Sequence, residues 1–362
     1  MKILAIETSC DETAIALLQI DGALEKPDIK VLGNTLLSQA SLHEKYGGVY
    51  PNLAKREHQK NLPILLEQTL KEAGVEAERP QIDAIAVTAG PGLEPALWTG
   101  ITFAEALGEK WHKPVVPVNH MEGHIYSVLY QDEFSISNYQ FSKLGLPALA
   151  LLVSGGHTEL VHVKDFGNYK IIGQTKDDAV GEAFDKVARM LGLPYPGGPE
   201  ISRLAEKSRE RSREDEIKLP RPMIHSKDLN FSYSGLKTAV LYRLKSENRS
   251  EPEFKQDMAR AFEDAAVDVL IDKTRKALLE LGNDIKTLIV AGGVSANTHL
   301  TQELDKLMTE FPEISLCMPT KLLSSDNAIM IGVAAYINIK LRPEILDKEA
   351  SITASGNLSL TS

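Results

Sequence analysis

Cysteine is scarce: Cys10 and Cys317 are the only two in 362 residues, and neither belongs to a C-x-x-C pair. Two distant thiols cannot build a disulfide framework, which excludes a disulfide-stapled secreted scaffold and sets the expectation of a reducing, cytoplasmic compartment. Long apolar runs are missing too. No stretch approaches the roughly 18 residues a membrane-spanning helix needs, so no membrane span is expected. The chain opens on MKILAI, a buried-strand pattern with no basic segment, apolar run and cleavage site ahead of it, and no export signal is expected. Positive charge is in deficit, with a formal net charge of −10. That argues against a protein that coats nucleic acid by bulk electrostatics, since replacing counterions takes clustered cations. Local basic groups remain at Lys55, Arg56, His58 and Lys60, and at Arg203, Lys207, Arg209, Arg211 and Arg213. Both read as solvated helix faces. Two phosphate-binding fingerprints are absent, G-x-x-x-x-G-K-[ST] and G-x-G-x-x-G, which removes the P-loop and dinucleotide folds.

What is present suits two ordinary domains: 43% hydrophobic and 25% charged residues over a length that can bury two cores. KILAI runs into the polar turn ETSCDE and out through TAIALL; roughly 145 residues later, PALALL runs into VSGGHT and out through ELVHV. Each half therefore opens on a similar strand, turn, strand unit. Helix-like and strand-like segments alternate after each hairpin, which implies α/β layers. Residues 131–145 and 197–230 read as surface connections or insertions, and 350–362 as a frayed tail.

Three turns of small residues follow apolar strands directly: TSCDET, VSGGHT and AGGVSAN. Gly, Ser and Thr let backbone amides approach a phosphate closely, and the hydroxyls add donors. With the P-loop and dinucleotide patterns gone, these turns point to a nucleotide held in a cleft between duplicated α/β lobes, the actin-like ATPase (ASKHA) fold. In that fold the lobes span residues 1–130 and 146–325, and the helix at about 326–342 returns to complete the first.

NHMEGHIYSV places His120 and His124 about 40° apart on one helix face, so both imidazoles can share an ion. Glu122 falls about 200° away, which deprives an H-E-x-x-H protease reading of its general base. Capping or core packing is the plain alternative for such a pair until a third ligand is found. Asp326, in SSDNAIM, is the best candidate, and a simple helix N-cap is the competing role there.

IETSCDET, HMEGH, LLVSGGHTEL, GEAFDKVARMLGLPYPGGP, FSYSGLKTAV, AGGVSAN and SDNAIM, in that order, resemble the TsaD family of tRNA adenosine threonylcarbamoyltransferases on its bacterial side. The resemblance implies an actin-like fold that passes the threonylcarbamoyl group of threonylcarbamoyl-AMP to the exocyclic amine of the adenosine just 3′ of the anticodon. The tRNAs concerned read codons that begin with A, and AMP leaves. It also implies metal ligands at His120, His124 and Asp326, for Fe(II) or Zn(II). Contacts to the adenylate fall on Leu152, Val153, Ser154, Gly155, Gly156, His157, Asp185, Gly198 and Asn297, with Ser9, Asp11 and Glu12 close to the reacting group. Asp11, then Glu12, is the expected general base, the alternative being that both only shape the turn. The implied partners are tRNA, a pseudo-enzyme paralogue (TsaB-type) and a small ATPase (TsaE-type).

The sequence departs from its relatives in two places. The archaeal and eukaryotic branch carries a ligating Tyr before the VSGG turn, where this strand has only Leu, so a further ligand has to be water, substrate oxygen or Ser9. Thr301 and Gln302 stand where many relatives place an Arg. Cys10 reads as small packing and Lys237 as a solvated helix lysine. Three rival functions remain: a small-molecule kinase of the same fold, releasing ADP; a metallopeptidase; and a module that only binds nucleotide.

Overall fold

The computed structural model describes residues 1–130, 144–211, 217–247, 251–347 and 351–361. Three strands come first, β1 (Lys2–Glu7), β2 (Glu12–Ala23) and β3 (Lys26–Ser38). KILAIE is buried on both faces beyond its first residue, as a central strand covered by helices on both sides must be. Next come α1 (Ala40–His43), α2 (Pro51–Glu72), β4 (Ala84–Gly90), α3 (Glu94–Trp111), β5 (Val115–Asn119) and α4 (His120–Tyr126). The second half repeats the theme with β6 (Ala148–Val153), β7 (Thr158–Asp165), β8 (Asn168–Gln174), α5 (Val180–Met190), α6 (Gly197–Arg209), α7 (Ser234–Glu247) and α8 (Pro252–Leu281). It closes with β9 (Thr287–Ala291), α9 (Thr298–Met308), β10 (Ser315–Cys317), α10 (Lys321–Ser324) and α11 (Ala328–Leu341).

The strands form two five-stranded mixed sheets, ordered β3-β2-β1-β4-β5 and β8-β7-β6-β9-β10. Position for position these orders are the same. β1 pairs antiparallel with β2 and parallel with β4, and β6 likewise with β7 and β9. The molecule thus has two α/β lobes of one topology.

Between the sheets lie α4 and α11. Residues Ala328 to Ile339 of α11 are all buried, as a helix that is apolar on every side should be. It follows the second lobe in the chain but packs on β1, β2, β4 and β5. One cluster of apolar side chains joins β1, β2, α4, β6, β9 and α11, so the lobes share a central core. The outer face of the first sheet is covered by α2 and α3, that of the second by α5 to α9. Both site histidines and Asp326 lie at the ends of the two central helices.

Two sequence expectations are corrected. Within 197–230, Gly197–Arg209 is helix α6, whose Ile201 and Ala205 are wholly buried in the second core. Their helical spacing is hidden by the Pro/Gly start and the surrounding charge. The segment 351–361 is no frayed tail. Ile352 and Ala354 are buried in the first core, and Ser355 N donates to Ala89 O at 2.9 Å. Gly92 N donates to Gly356 O at 3.1 Å, and Asn119 Nδ2 to Ser359 O at 3.1 Å. Of the connection read at 131–145, residues 131–143 lie outside the described residues.

Candidate metal centre and cleft

β5 passes directly into α4, and the Asn119 side chain caps that helix by accepting from Met121 N at 2.8 Å. One turn of helix then stacks His120 beside His124, ring centroids 4.7 Å apart and nearly perpendicular. Asp326 arrives from the extended link before α11. Asn327, not Asp326, is the N-cap there, accepting from Met330 N at 3.0 Å. The carboxylate is therefore free to face the imidazoles, with Oδ1 3.3 Å from His120 Nε2 and 3.2 Å from His124 Nε2. Bonds of about 2.0–2.1 Å to a tetrahedral ion place adjacent donors about 3.3 Å apart, so these separations fit a shared divalent cation.

Two further observations support that fit. His124 is wholly buried, and among the described residues its Nε2 has only the Asp326 oxygen at 3.2 Å, off hydrogen-bond geometry, a shortfall that a cation between the two would relieve. The electrostatics ask for positive charge as well. Burial pushes His120 down, but Asp326 and Glu7 outweigh it and hold the imidazole well above its usual range. Burial likewise pushes Asp326 up, and the histidines bring it far below the usual carboxylate range. His124, with burial as the larger influence, sits lower than an ordinary histidine.

Glu7 escaped sequence reasoning. It ends β1 fully buried, its Oε2 3.3 Å from His120 Nδ1, and it also accepts from Ser9 N and Thr88 Oγ1. A carboxylate on Nδ1 leaves Nε2 to face Asp326, the usual arrangement behind a metal-ligating histidine. The available signal was an acid closing an otherwise apolar strand, KILAIE. Glu122 faces away. Its Oε2 accepts from Asn338 Nδ2 at 2.9 Å on α11, so no general base stands at the triad in the H-E-x-x-H manner.

The first turn joins this centre through Ser9, whose Oγ lies 3.3 Å from His120 Nδ1. Asp11 is buried, its main-chain carbonyl accepting from Gln39 N at 2.9 Å. Burial, then the charges of Asp11 and Asp326, hold Glu12 well above the ordinary carboxylate range. The Cys10 thiol is pushed up by burial and the same acids, which removes it as a nucleophile.

In the second turn the strand residues Leu152 and Val153 bury their side chains completely, so only their backbone can serve a ligand. Ser154 N donates to His157 O at 2.9 Å, and His157 N returns a bond to Ser154 Oγ at 3.1 Å. Gly155 and Gly156 stand at the tip with open space where a Cβ would be. Among the described residues their amides make no hydrogen bond, which leaves two donors free. Burial, followed by the charges of His120 and His124, lowers His157 to about 4, so it is a neutral imidazole beside the triad.

Other candidates are committed to structure. Asp185 Oδ1 accepts from Gly197 N at 2.7 Å, tying α5 to α6, and burial raises its pKa. Gly198 is open to space. Asn297 caps α9 through Leu300 N at 2.8 Å and donates to Ser202 and Glu263, so its side chain is spent inward. The Thr301 hydroxyl closes on Asn297 O at 3.1 Å. Lys237 is not simply solvated, since it pairs with Asp178 at 2.7 Å. Of the basic groups read from the sequence, Lys55, Arg56 and Lys60 are exposed on α2 and His58 is buried. Arg203, Arg209 and Arg211 are paired to Glu200, Glu263 and Asp257. Arg213 lies outside the described residues.

Fold and site together define a two-lobed α/β protein with a metal-donor triad and two small-residue turns where its lobes meet. Residues 30–333 match the family model described as TsaD: tRNA N6-adenosine threonylcarbamoyltransferase. A protein of that name from Thermosipho africanus is 42% identical over 361 residues, covering 99% of this chain and all of its own length. Another, from Persephonella marina, is 45% identical over 343 residues, covering 94% of this chain and 91% of its own. The chain belongs to the TsaD family. Among solved structures, HypF from T. kodakarensis superposes with a TM-score of 0.56 at 12% identity, covering 95% of this chain and 49% of that one, a likeness of fold alone. No described helix is long and apolar enough to cross a membrane.

Proposed function

We propose that this chain, as a cytoplasmic enzyme, transfers the threonylcarbamoyl group of threonylcarbamoyl-AMP to the exocyclic amine of the adenosine 3′ of the anticodon, in tRNAs reading codons that begin with A. One observation carries the reading: His120, His124 and Asp326 converge beside Ser9 of the first turn, with the neutral His157 of the second turn close enough to feel their charge. The matched strand orders of the two sheets support an actin-like (ASKHA) assignment for the lobes.

His120, His124 and Asp326 would hold Fe(II) or Zn(II), both of which accept imidazole and carboxylate. When bound, that ion supplies Lewis-acid stabilisation of negative charge on the acyl donor's oxygens. The free amides of Gly155 and Gly156 hold the phosphate, as preorganised donors aimed at developing charge. The amine nitrogen attacks the carbamoyl carbon. Asp11 takes the proton from nitrogen, the bond from carbon to the phosphate oxygen breaks, and AMP leaves with that electron pair. Glu12, whose carboxyl is raised by burial and by the neighbouring acids, stands second as the base, with shaping of the turn as its alternative role.

The net charge of −10 argues for help in gripping tRNA, and a pseudo-enzyme paralogue (TsaB-type) with a small ATPase (TsaE-type) would supply it. The test mixes the protein and these partners with threonylcarbamoyl-AMP and unmodified tRNA. Mass spectrometry of digested nucleosides should find threonylcarbamoyladenosine, with AMP formed in step. Unmodified tRNA, or ADP formed from ATP as a kinase requires, overturns the reading.

A further inference from the structure

A cavity of about 560 Å³ is not lined by the triad or by the glycine turn. It lies on the seam between the lobes, with Lys45 and Gly47 on one side and Asp185, Arg189 and Tyr195 on the other. Its volume falls within the ~300–1,000 Å³ of small-molecule sites. Gly47 is left-handed, with φ 66°, and a Cβ there would stand 3.1 Å from Arg189 Cδ, so the lobes approach closely at this wall.

Charge makes the cavity unusual for this molecule. Lys45 and Arg189 have no carboxylate partner among the described residues, in a chain whose other arginines are largely paired. Lys45 rests over the Tyr46 ring, 5.0 Å from its centroid. Glu44 shares the rim, so the cavity is no general trap for polyanions. Tyr195 supplies an aromatic face. Burial, then the charges of acids that include Asp11 and Asp185, raises its phenol.

Two unpaired cations and one aromatic ring make up the chemistry of a single-nucleotide site on a nucleic acid, with phosphates on cations and the base on the ring. We propose that this cavity receives the acceptor nucleotide, with Tyr195 stacking on the base and Lys45 and Arg189 facing the flanking phosphates. The inference rests on the transfer reading above and names the second substrate's entry to it. Of the residues expected to hold the adenylate, Asp185 alone lines this cavity, so it is where the two substrate sites adjoin.

The test compares Lys45→Ala, Arg189→Ala, Tyr195→Ala and Tyr195→Phe, assayed with the partner proteins that wild-type turnover needs. KM for tRNA is measured at saturating threonylcarbamoyl-AMP and the reverse, and adenylate affinity is measured by calorimetry. Each cation variant should raise the tRNA KM about fivefold or more and reduce the salt slope of tRNA binding by about one. Tyr195→Ala should raise it about tenfold, with Tyr195→Phe near wild type, because stacking uses the ring face. Adenylate affinity should stay within about twofold throughout. An unchanged tRNA KM in variants of normal thermal stability overturns the proposal. A parallel loss of adenylate affinity also overturns it, assigning the cavity to the acyl donor. Failure of the transfer reading is distinguishable, since it appears in the wild type as an absence of modified nucleoside, and the proposal falls with it.

Discussion

Replacing Glu7 by Gln keeps the shape of the buried carboxylate behind His120 and removes its charge. In the wild-type centre, Asp326 and Glu7 together match a divalent cation held by two neutral imidazoles. The variant leaves that ensemble one charge positive in a fully buried place. A unit charge 3.3 Å from His120 Nδ1 is worth about 5 kcal/mol gross at an effective dielectric of 20. Most of that is offset by the cost of keeping a carboxylate out of water in wild type. The Gln side chain can also donate to Nδ1, which favours the tautomer with its proton on Nε2, the wrong nitrogen for a ligand. Outer-shell carboxylates behind metal-bound histidines typically contribute 10- to 100-fold in affinity, or about 1.4–2.8 kcal/mol. Chelator competition on the wild type and Glu7→Gln, followed by metal analysis, should show a loss in that range. Equal affinity in the two proteins would refute the idea that Glu7 orients His120 for a metal.

Three other outcomes are expected. His58 accepts from Thr13 Oγ1 at 2.8 Å and donates to Cys10 O at 3.0 Å, so His58→Ala should lose about 3 kcal/mol in urea unfolding, while a surface control such as Lys55→Ala changes little. Truncation after residue 350 removes Ile352 and Ala354 from the first core and should lower stability by about 2–4 kcal/mol, seen as a lower denaturant midpoint; an unaltered midpoint would mean that the tail is not docked. Burial raises Glu159 to about 7, so the stability it contributes is full below its unfolded value near 4.3 and is lost as pH rises towards 7. Glu159→Gln should therefore flatten the fall in stability between about pH 4.5 and 7 by ~2–3 kcal/mol, and an unchanged slope in the variant would show that Glu159 titrates normally.

Much of this was legible in the sequence because the decisive patterns are local. The spacing of His120 and His124 fixes their common face whatever the rest of the chain does. Continuous apolar runs likewise reveal β1, β6 and β9, since a strand covered on both faces has no polar side to show. The edge strands β3 and β8 went unread, because each is half exposed and its pattern is interrupted by polar residues. Glu7 and Asp326 could not be placed by spacing, as their roles depend on contacts more than 100 residues away in sequence. Asp326 was a candidate from its place before an apolar helix, strengthened by family resemblance, and its rival role as an N-cap was settled by finding Asn327 in that place. The 351–361 segment misled for a related reason: two small apolar anchors and a few main-chain hydrogen bonds dock it, and neither makes a periodic signal.

The triad is tested most directly by anomalous diffraction from crystals of the metal-loaded protein soaked with a non-transferable adenylate analogue. The expected result is one peak about 2.0–2.2 Å from His120 Nε2, His124 Nε2 and Asp326 Oδ1, with the analogue's phosphate on the Gly155 and Gly156 amides. A peak elsewhere, or Asp326 turned away from both imidazoles, would contradict it.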